Sequence, residues 1–359
     1  MFQYILRRIL YAIPVLFAIL LVTFMLARLI PGDPCTAMLG EKATPEACER
    51  FDRKFGLDKP ITTQFVRYIT NVFRGDLGDS IRFGRPINVM LVERLPMTIE
   101  LGLTAMFLAV LIGIPAGIIS ALRRNSMIDV VTMIGANIGV SIPVFVLALI
   151  LIYIFAVLLR GTPWALPPSG RLSAGVLSTP FYEHFGWAVN EESRSYLLYQ
   201  FVANLYIFNA ILTANWELLG DTLKHLLLPA VALSTIPLSI IARMTRSSTL
   251  EVLGRDYIRT AHAKGLPSRA VIMRHALRSA LVPVVTIIGL QAGAILGGAI
   301  LTETIFGLSG VGRSLFEAIT SRDFPVIQGF TIVVTFIYVL VNLIVDLSYA
   351  YLDPRVRLE

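Results

Sequence analysis

The stretch RTAHAKGLPSRAVIMRHALRSALVP, which runs from Arg259 to Pro283, is basic and lies between two apolar parts of the chain. The residues before Gly265 are mostly good helix formers, and a glycine followed by Pro267 is a typical end of a helix. Ser268 can then cap a second helix that continues into the next apolar segment. The stretch therefore predicts a short helix, a sharp corner and a long helix.

The overall composition indicates a membrane protein. The chain has 359 residues, of which 55% are hydrophobic and 15% are charged, whereas soluble domains carry about a quarter charged residues. The mean hydropathy is +0.72, and the apolar residues cluster in blocks rather than at amphipathic spacing. This pattern predicts an all-α polytopic membrane protein with one membrane domain. The net charge of +7 does not by itself indicate nucleic acid, because the positions of the charges matter more.

Six apolar segments have lengths typical of membrane spans, since a helix crossing ~30 Å of hydrocarbon needs ~20 residues. The third and sixth are long, so we expect them to tilt or to continue past the bilayer. The fourth is short and contains two prolines, which membrane helices tolerate when neighbours satisfy the freed carbonyl groups. The segments are Ile9–Leu29, Leu101–Leu122, Val130–Leu159, Leu226–Ala242, Leu281–Ile305 and Val326–Tyr351.

Positive charges predict that both termini are cytoplasmic. Short loops rich in Lys and Arg stay in the cytoplasm, and the loop 243–280 carries eight basic residues against two acidic ones. With six spans, this loop and the basic residues near both chain ends lie on the same side. The apolar stretch Leu197–Asn215 would turn the loop outward if it crossed the membrane. We therefore expect that stretch outside, packed on the external part or lying at the interface.

The spans divide the chain and leave two sizeable external segments. We expect an N-terminal segment with the first span (1–30), an external loop unit (31–97) and a core with spans two to six (98–359), which includes an external insert (160–225) and the cytoplasmic loop (243–280). Both cysteines, Cys35 and Cys48, lie in the first external segment. Because the space outside the inner membrane is oxidising, they are candidates for a disulfide. Two unrelated small residues are the alternative.

The short helix before Gly265 has two interpretations. Tyr257, Ile258 and Ala261 offer an apolar face, while Arg259 and Lys264 keep their charges in water. A helix of this kind, lying about parallel to the membrane on its cytoplasmic side, is a surface for another protein. A solvated loop whose arginines only fix topology and contact anionic lipid explains the same residues equally well.

Sequence motifs favour the first interpretation. The stretch resembles the coupling loop of permease subunits in binding-protein-dependent ABC importers, whose general pattern is Glu-Ala-Ala, three residues, then Gly. The corresponding residues here are Arg259, Thr260, Ala261 and Gly265, a departure that is similar to the peptide-permease branch. Further segments resemble the first (B-type) permease subunit of dipeptide and oligopeptide importers: ILRRILYAIPVLFAILLVTFMLARLIPGDP (5–34), FGLDKPITTQF (55–65), RGDLGDSI (74–81), RMTRSSTLEVLGRDYIRTA (243–261), GGAILTETIF (297–306) and RDFPVIQG (322–329). The resemblance covers almost the whole chain and is weakest over 173–221.

This resemblance implies a type I ABC importer permease fold in a bacterial inner membrane. It implies a heteromeric complex with a second homologous permease subunit, two ATPase subunits and an external substrate-binding protein, surrounded by membrane lipid and without nucleic acid. ATP and Mg would bind the ATPase subunits, and this chain would hold no cofactor. The short helix would seat in a cleft on an ATPase through Asp256, Tyr257, Ile258, Arg259, Thr260, Ala261, Ala263, Lys264 and Gly265.

The absence of catalytic motifs agrees with a non-catalytic subunit. A phosphate-binding P-loop needs a Gly-Lys-Ser/Thr sequence, and none of the five lysines follows a glycine. The four histidines form no His-Glu-x-x-His pattern of a metal site, and there is no Gly-x-Ser-x-Gly sequence. We therefore expect no ATP hydrolysis, no metal and no enzymatic activity from the chain itself.

The fifth span contains the candidates for a translocation path. They are the polar residues Gln291, Thr302, Glu303 and Thr304, since polar residues within spans usually face protein or water. Helix packing explains the neighbouring glycines better than a substrate groove does. The alternative to a role of Glu303 in the path is that it only caps the span at the interface. Asp346, in the sixth span, is expected to pair with Arg243 or Arg246.

Two classes of function remain open. The first is an ABC permease subunit for di- or oligopeptides, or for a nickel chelate, haem or another small solute on the same scaffold. The second is a secondary transporter driven by an ion gradient, which commonly shows inverted repeats and ionisable residues near the bilayer midplane. The sequence shows no internal repeat, and its clearest acidic residues lie near the ends of spans.

Overall fold

The computed structural model describes residues 2–29, 35–36, 43–190 and 193–352. In chain order its helices are α1 (Phe2–Leu29), α2 (Pro45–Phe55), α3 (Ile61–Phe73), α4 (Ile87–Leu122), α5 (Met127–Ser141), α6 (Val144–Ile152), α7 (Phe181–His184), α8 (Arg194–Ala203), α9 (Tyr206–Leu212), α10 (Trp216–Leu253), α11 (Asp256–Ala263), α12 (Ser268–Ala270), α13 (Leu277–Ile305), α14 (Val311–Thr320) and α15 (Phe324–Leu352). Two π-helical turns, Tyr153–Leu158 and Val271–Ala276, follow α6 and α12. The described residues contain no β-sheet, only an isolated antiparallel bridge between Asp79 and Pro86.

The chain forms two compact units. The first comprises Met1–Thr98, Ser178–Asn215 and Ser309–Val339, and the second comprises Ile99–Leu177, Trp216–Leu308 and Leu340–Glu359. Helices α4 and α15 each contribute residues to both units. The short helix of the coupling loop belongs to the second unit, together with the two long helices on either side of it.

The core of the first unit forms where the start of α4 meets α14 and the start of α15. Its buried side chains are Ile87, Met90, Leu91, Val311, Ala318, Val326 and Phe330. The turn before α4 is held by the buried carboxylate of Asp323, which accepts hydrogen bonds from Ser80 Oγ at 2.5 Å, Ile81 N at 3.1 Å and Arg82 N at 3.1 Å. The motifs RGDLGDSI and RDFPVIQG therefore meet in one hydrogen-bonded junction.

The N-terminal part of the first unit contains the two cysteines. The structure joins Cys35 and Cys48 by a disulfide with an Sγ–Sγ distance of 2.01 Å. Of the two alternatives that the sequence left open, the structure contains the bonded one. The bond connects the segment after α1 to α2, and it leaves no free cysteine among the described residues.

The second unit is organised around α10, which packs along α13, α5 and α6. One close approach to α10 comes from Gly117 on α4. A Cβ atom at Gly117 would lie 2.5 Å from the carbonyl oxygen of Ala242 and 2.6 Å from Thr245 Cβ. Only a residue without a side chain lets these two helices lie so close together. A small buried cluster also joins α4, α10 and α13, and it consists of Ala109, Ile241 and Val284.

The predicted spans correspond to the helices with one correction. Four helices are long and apolar enough to cross a membrane, over Ile87–Leu122, Trp216–Leu253, Ser268–Ile295 and Phe324–Val345, and the count rises to six if each of two bent pairs is one span. The four correspond to the second, fourth, fifth and sixth predicted segments, while α1 contains the first, whose apolar part among the described residues is the shorter stretch Leu10–Met25. The third predicted segment is not one straight helix, and whether it crosses the membrane as a single span stays a prediction. Met127–Ser141 and Val144–Leu158 meet at 101°, with the break at Ile142 and Pro143, because a residue before proline is disfavoured in the α conformation.

The stretch Leu197–Asn215 does not form a straight helix. It covers the end of α8 and all of α9, and the segments Ser195–Ala203 and Tyr206–Leu212 meet at 91°. Asn209 of α9 is fully buried and fixes the chain before α7, since its side chain accepts a hydrogen bond from Phe181 N at 2.9 Å and donates one to Thr179 O at 2.9 Å. On which side of the membrane this bent pair lies stays a prediction.

Candidate coupling site

The short helix predicted before Gly265 is α11, and its inner face is anchored in the second unit. Ile258 is 1% exposed and Ala261 is also buried. Together with Val252 at the end of α10 and with Val271, Ala276 and Ala280 on the following helical segment, they form a compact apolar cluster. A helix of eight residues is too short to be stable in water alone. Its position therefore depends on this cluster.

The outer face of α11 is exposed and polar. The side chains of Arg259, Thr260, Ala263 and Lys264 are open to solvent, as the sequence predicted for the charged ones. Tyr257 is 45% exposed, whereas Ile258 and Ala261, which the sequence placed on the same apolar face, are buried within the chain. Arg259 and Asp256 form an ion pair of 3.5 Å that contributes little to stability, because both partners are exposed. These six exposed residues form one continuous face of the helix, which is available to a partner.

The predicted corner is present after α11. Gly265 has a φ of +75°, in the left-handed region, and its N–H donates to His262 O at 2.9 Å. A side chain at this position would meet no atom within 4 Å, so the requirement for glycine comes from the backbone alone. The prediction that Ser268 caps the next helix was wrong. Pro267 occupies the cap position without a side-chain hydrogen bond, and Ser268 is the first residue of α12.

Both long helices beside α11 are tied to each other at this point. Ser248 Oγ on α10 donates a hydrogen bond of 2.7 Å to the carbonyl oxygen of Ala280 at the start of α13, and both residues are buried. The π-helical turn Val271–Ala276 connects the corner to α13 and provides two residues of the α11 cluster. A displacement of α11 is therefore applied to the ends of α10 and α13 together.

An ion pair that sequence reasoning missed links α10 to the first turn of α5. Arg246 donates through Nε to Asp129 Oδ1 and through Nη2 to Asp129 Oδ2, each at 2.7 Å. The buried carboxylate of Asp129 also accepts from Ser120 Oγ and, at 3.0 Å, from Asn125 N. Arg246 thus pairs with Asp129, and Arg243 Nη1 donates to Asn137 Oδ1 at 3.4 Å, while the expected pairing of Asp346 with Arg243 or Arg246 stays a prediction. The side chain of Asp346 lies outside the described residues.

The predicted path residues on α13 differ in exposure. Thr302 and Glu303 are fully buried, so neither lies on an open surface in this conformation. Gln291 and Thr304 are half-buried, and Thr304 Oγ1 donates to Ile300 O of its own helix at 2.8 Å. Packing accounts for one neighbouring glycine, since a Cβ at Gly289 would lie 2.2 Å from Val345 Cγ1.

The described residues contain no group of three or more His, Cys, Asp or Glu that could hold a metal ion. In the second unit, a short exposed helix is fixed at the ends of two long apolar helices, and an ion pair extends the connection to a third and a fourth helix.

Comparison with known proteins identifies the class. Residues 113–358 match the family "Binding-protein-dependent transport system inner membrane component", and residues 1–102 match the N-terminal part of the same type of membrane component. The chain belongs to this family of ABC transport permeases, and it is a multi-pass membrane protein.

Individual relatives are similar over their full length. The chain is 45% identical to the dipeptide transport system permease protein of Alkalihalophilus pseudofirmus, covering 99% of this chain and 100% of that protein. It is 44% identical to the dipeptide transport system permease protein of Escherichia coli K12 and 41% identical to a di/tripeptide transport system permease protein of Pseudomonas aeruginosa, with 99% of each chain covered in both cases. The stretch 173–221, where the resemblance is weakest, therefore lies within the aligned length of these relatives.

Proposed function

We propose that this chain is a permease subunit of an ATP-driven importer that translocates di- or oligopeptides across a bacterial inner membrane. The similarity to peptide permeases over the full length supports the peptide as substrate. The anchored and outwardly polar helix α11 is the observation that supports coupling to an ATPase. It offers a partner a rigid protrusion rather than a flexible loop, since Ile258 and Ala261 fix it from inside.

The proposed complex contains this chain, a second homologous permease subunit, two ATPase subunits that bind ATP and Mg, and an external binding protein that delivers the peptide. Six spans, with α1 as the first and the bent pair of α5 and α6 as the third, place both termini and α11 in the cytoplasm. This topology follows the distribution of arginines. The bent pair of α8 and α9 then lies outside.

Force would enter through α11 and spread through the second unit. ATP-driven closure of the ATPases favours one conformation of the permease only if the ATPases bind its two states with different affinity. A rigid α11 passes the displacement to α10 and α13 through the apolar cluster and the Ser248–Ala280 hydrogen bond. The Asp129–Arg246 pair passes it on to α4 and α5. These helices would then alternate between inward-open and outward-open arrangements.

Site-specific cross-linking tests the coupling role. Because the two native cysteines are bonded to each other, a Lys264→Cys variant carries one reactive thiol. A bifunctional thiol reagent is expected to join this thiol to an ATPase subunit in membranes, and to do so differently with and without ATP. Glu49→Cys on α2 is the control and should give no such product. Labelling of Lys264→Cys from outside intact cells by an impermeant thiol reagent would reject the topology and the coupling role together.

Reconstitution tests the substrate. The complete complex with its binding protein, placed in liposomes that contain MgATP, is expected to accumulate a labelled dipeptide. Omission of the ATPase subunits should abolish uptake. Uptake of the peptide by this chain alone along an ion gradient would instead support the secondary-transporter alternative. A nickel chelate or haem that copurifies with the cognate binding protein would replace the peptide as the substrate.

A further inference from the structure

Helix α3 lies in the segment expected to form an external unit, yet its side chains are arranged as on a helix that contacts a membrane. It has 13 residues, ITTQFVRYITNVF, and a single charged one, Arg67. At 100° per residue the apolar side chains occupy one side, and the polar ones except Thr62 occupy the other. The apolar side contains Ile61, Phe65, Val66, Tyr68, Ile69, Val72 and Phe73.

Part of this apolar side packs on α1. The ring of Phe65 lies 6.0 Å from the ring of Phe17 and 5.0 Å from that of Phe24, measured between centroids. Tyr68 stacks on Phe24 at 6.0 Å. Phe65 is thus inserted between two aromatic rings that lie two helical turns apart on α1. Helix α3 therefore crosses α1 at a level between these two rings.

The position of this crossing along α1 sets its depth in the membrane. The midpoint between Phe17 and Phe24 lies about 7 Å before Met25, where the apolar part Leu10–Met25 of α1 ends, at 1.5 Å per residue. With α1 crossing a hydrocarbon layer of ~30 Å, as in the topology proposed above, the ring of Phe65 lies well below the headgroups. A crossing at this depth is incompatible with a helix that is wholly in water.

The rest of the apolar side has no cover from the described chain. Val66 is 64% exposed and Phe73 is 85% exposed. Both project from the side of α3 next to the one that packs on α1, and α1 itself has exposed apolar side chains at the same level, such as Val22. In the proposed topology, acyl chains surround α1 at this depth and would also be next to the exposed side chains of α3.

We propose that α3 is embedded in the outer half of the bilayer beside α1, with Val66 and Phe73 in contact with phospholipid acyl chains. The polar side, which carries Arg67, faces the headgroups and water. An amphipathic helix with a wide apolar side and few charges is suited to this position. The external segment 31–97 is then partly a membrane-anchored element that fixes the first span from outside.

Spin-label accessibility tests this proposal directly. The chain offers no free thiol among its described residues, so single cysteines at Val66, Phe73, Val22 and Glu49 can each carry a nitroxide in the complete complex in lipid nanodiscs. Labels at Val66 and Phe73 are expected to be accessible to oxygen and protected from a water-soluble nickel chelate. Their ratio of oxygen to nickel accessibility should exceed that at Glu49 several-fold and approach the ratio at Val22.

The remaining outcomes each reject a specific part of the argument. A ratio at Val66 and Phe73 equal to that at Glu49, with Val22 still in lipid, would place α3 in water and overturn the proposal. Protection of Val66 and Phe73 from both reagents would show that a protein subunit covers them, and this too would overturn it. If Val22 itself behaves like Glu49, the proposed span α1 fails first. ATP-dependent peptide uptake by each labelled complex verifies that the protein is intact.

Discussion

Loss of the Ile258 side chain should detach the coupling helix without touching its outer face. Ile258 is 1% exposed and packs in the cluster under α11. Shortening a buried isoleucine to alanine costs about 2–5 kcal/mol, and shortening it to valine costs about 0.5–1.5 kcal/mol. Because α11 has only eight residues, most of this cost falls on the equilibrium between docked and detached helix rather than on the whole chain.

The expected effect on local opening follows from these values. Since 1.4 kcal/mol corresponds to a factor of ten, Ile258→Ala should raise the detached population of α11 by about 30-fold to several thousand-fold. Ile258→Val should raise it by only about 2- to 12-fold. The amide hydrogens of α11 should lose protection from exchange by the same factors, while those in the middle of α10 and α13 keep theirs.

The functional consequence is uncoupling. In the proposed complex, a detached α11 would keep its exposed residues within reach of the ATPase, but it would no longer transmit displacement to the long helices. The purified complex with Ile258→Ala should therefore hydrolyse ATP at a similar rate and import much less peptide per ATP, with Ile258→Val in between. Tyr257→Ala removes a neighbouring exposed side chain and serves as the control for direct contact with the ATPase.

Two results would refute this reasoning. Equal amide protection of α11 in Ile258→Ala and the unchanged protein would show that the cluster does not hold the helix. Greater exchange at α11 together with a normal ratio of imported peptide to hydrolysed ATP would show that rigidity of α11 is not needed for coupling. If Ile258→Ala assembles poorly, Ile258→Val provides the same comparison of amide protection and coupling, with a smaller expected effect.

Three further predictions concern the same machinery. Gly265→Val forces a β-branched residue to a φ of +75° and should uncouple transport from ATP hydrolysis. Asparagine tolerates this conformation, so Gly265→Asn should keep most of the coupling. Equal loss of peptide import per hydrolysed ATP in both variants would indicate a steric rather than a backbone requirement. Asp129→Asn and Arg246→Met should each lower the thermal stability of the complex. The double variant should lose less stability than the two single variants added together, because neither partner is left unpaired. Additive losses of stability would argue against the pair. Gly117→Ala places a Cβ 2.5 Å from a backbone carbonyl oxygen and should cost about 1–3 kcal/mol in stability, as followed by thermal unfolding, while Gly135→Ala, with no atom within 4 Å, should cost almost nothing.

Apolar blocks made most of the long helices predictable. A run of about 20 apolar residues has few stable alternatives to a helix in a bilayer, because every backbone polar group must be satisfied within the segment. The same reasoning failed for Val130–Leu159, where hydropathy is continuous but the chain turns by 101°. Hydropathy indicates whether a segment lies in an apolar environment or in water, and it does not indicate the direction in which the backbone runs.

Local backbone rules also predicted the coupling loop well. The end of α11 and the left-handed Gly265 follow from residue types within a few positions of each other. Which side of α11 is anchored was not predicted: of the three residues on the predicted apolar face, Ile258 and Ala261 are buried and Tyr257 is exposed. The cluster that decides this adds residues from the end of α10, the π-helical turn Val271–Ala276 and the start of α13, and their arrangement around α11 is a tertiary property.

The sequence by itself determined the class of this protein, most of its long apolar helices and the position of the short helix before Gly265, because these depend on local composition and spacing. Only the tertiary structure decided which charges pair, which helices approach closely and where α3 lies along α1. Asp129 and Arg246 are 117 positions apart, and no spacing rule connects residues at that distance. Contacts of this kind depend on how helices pack, and packing is set by the combined shape of many side chains rather than by any one segment.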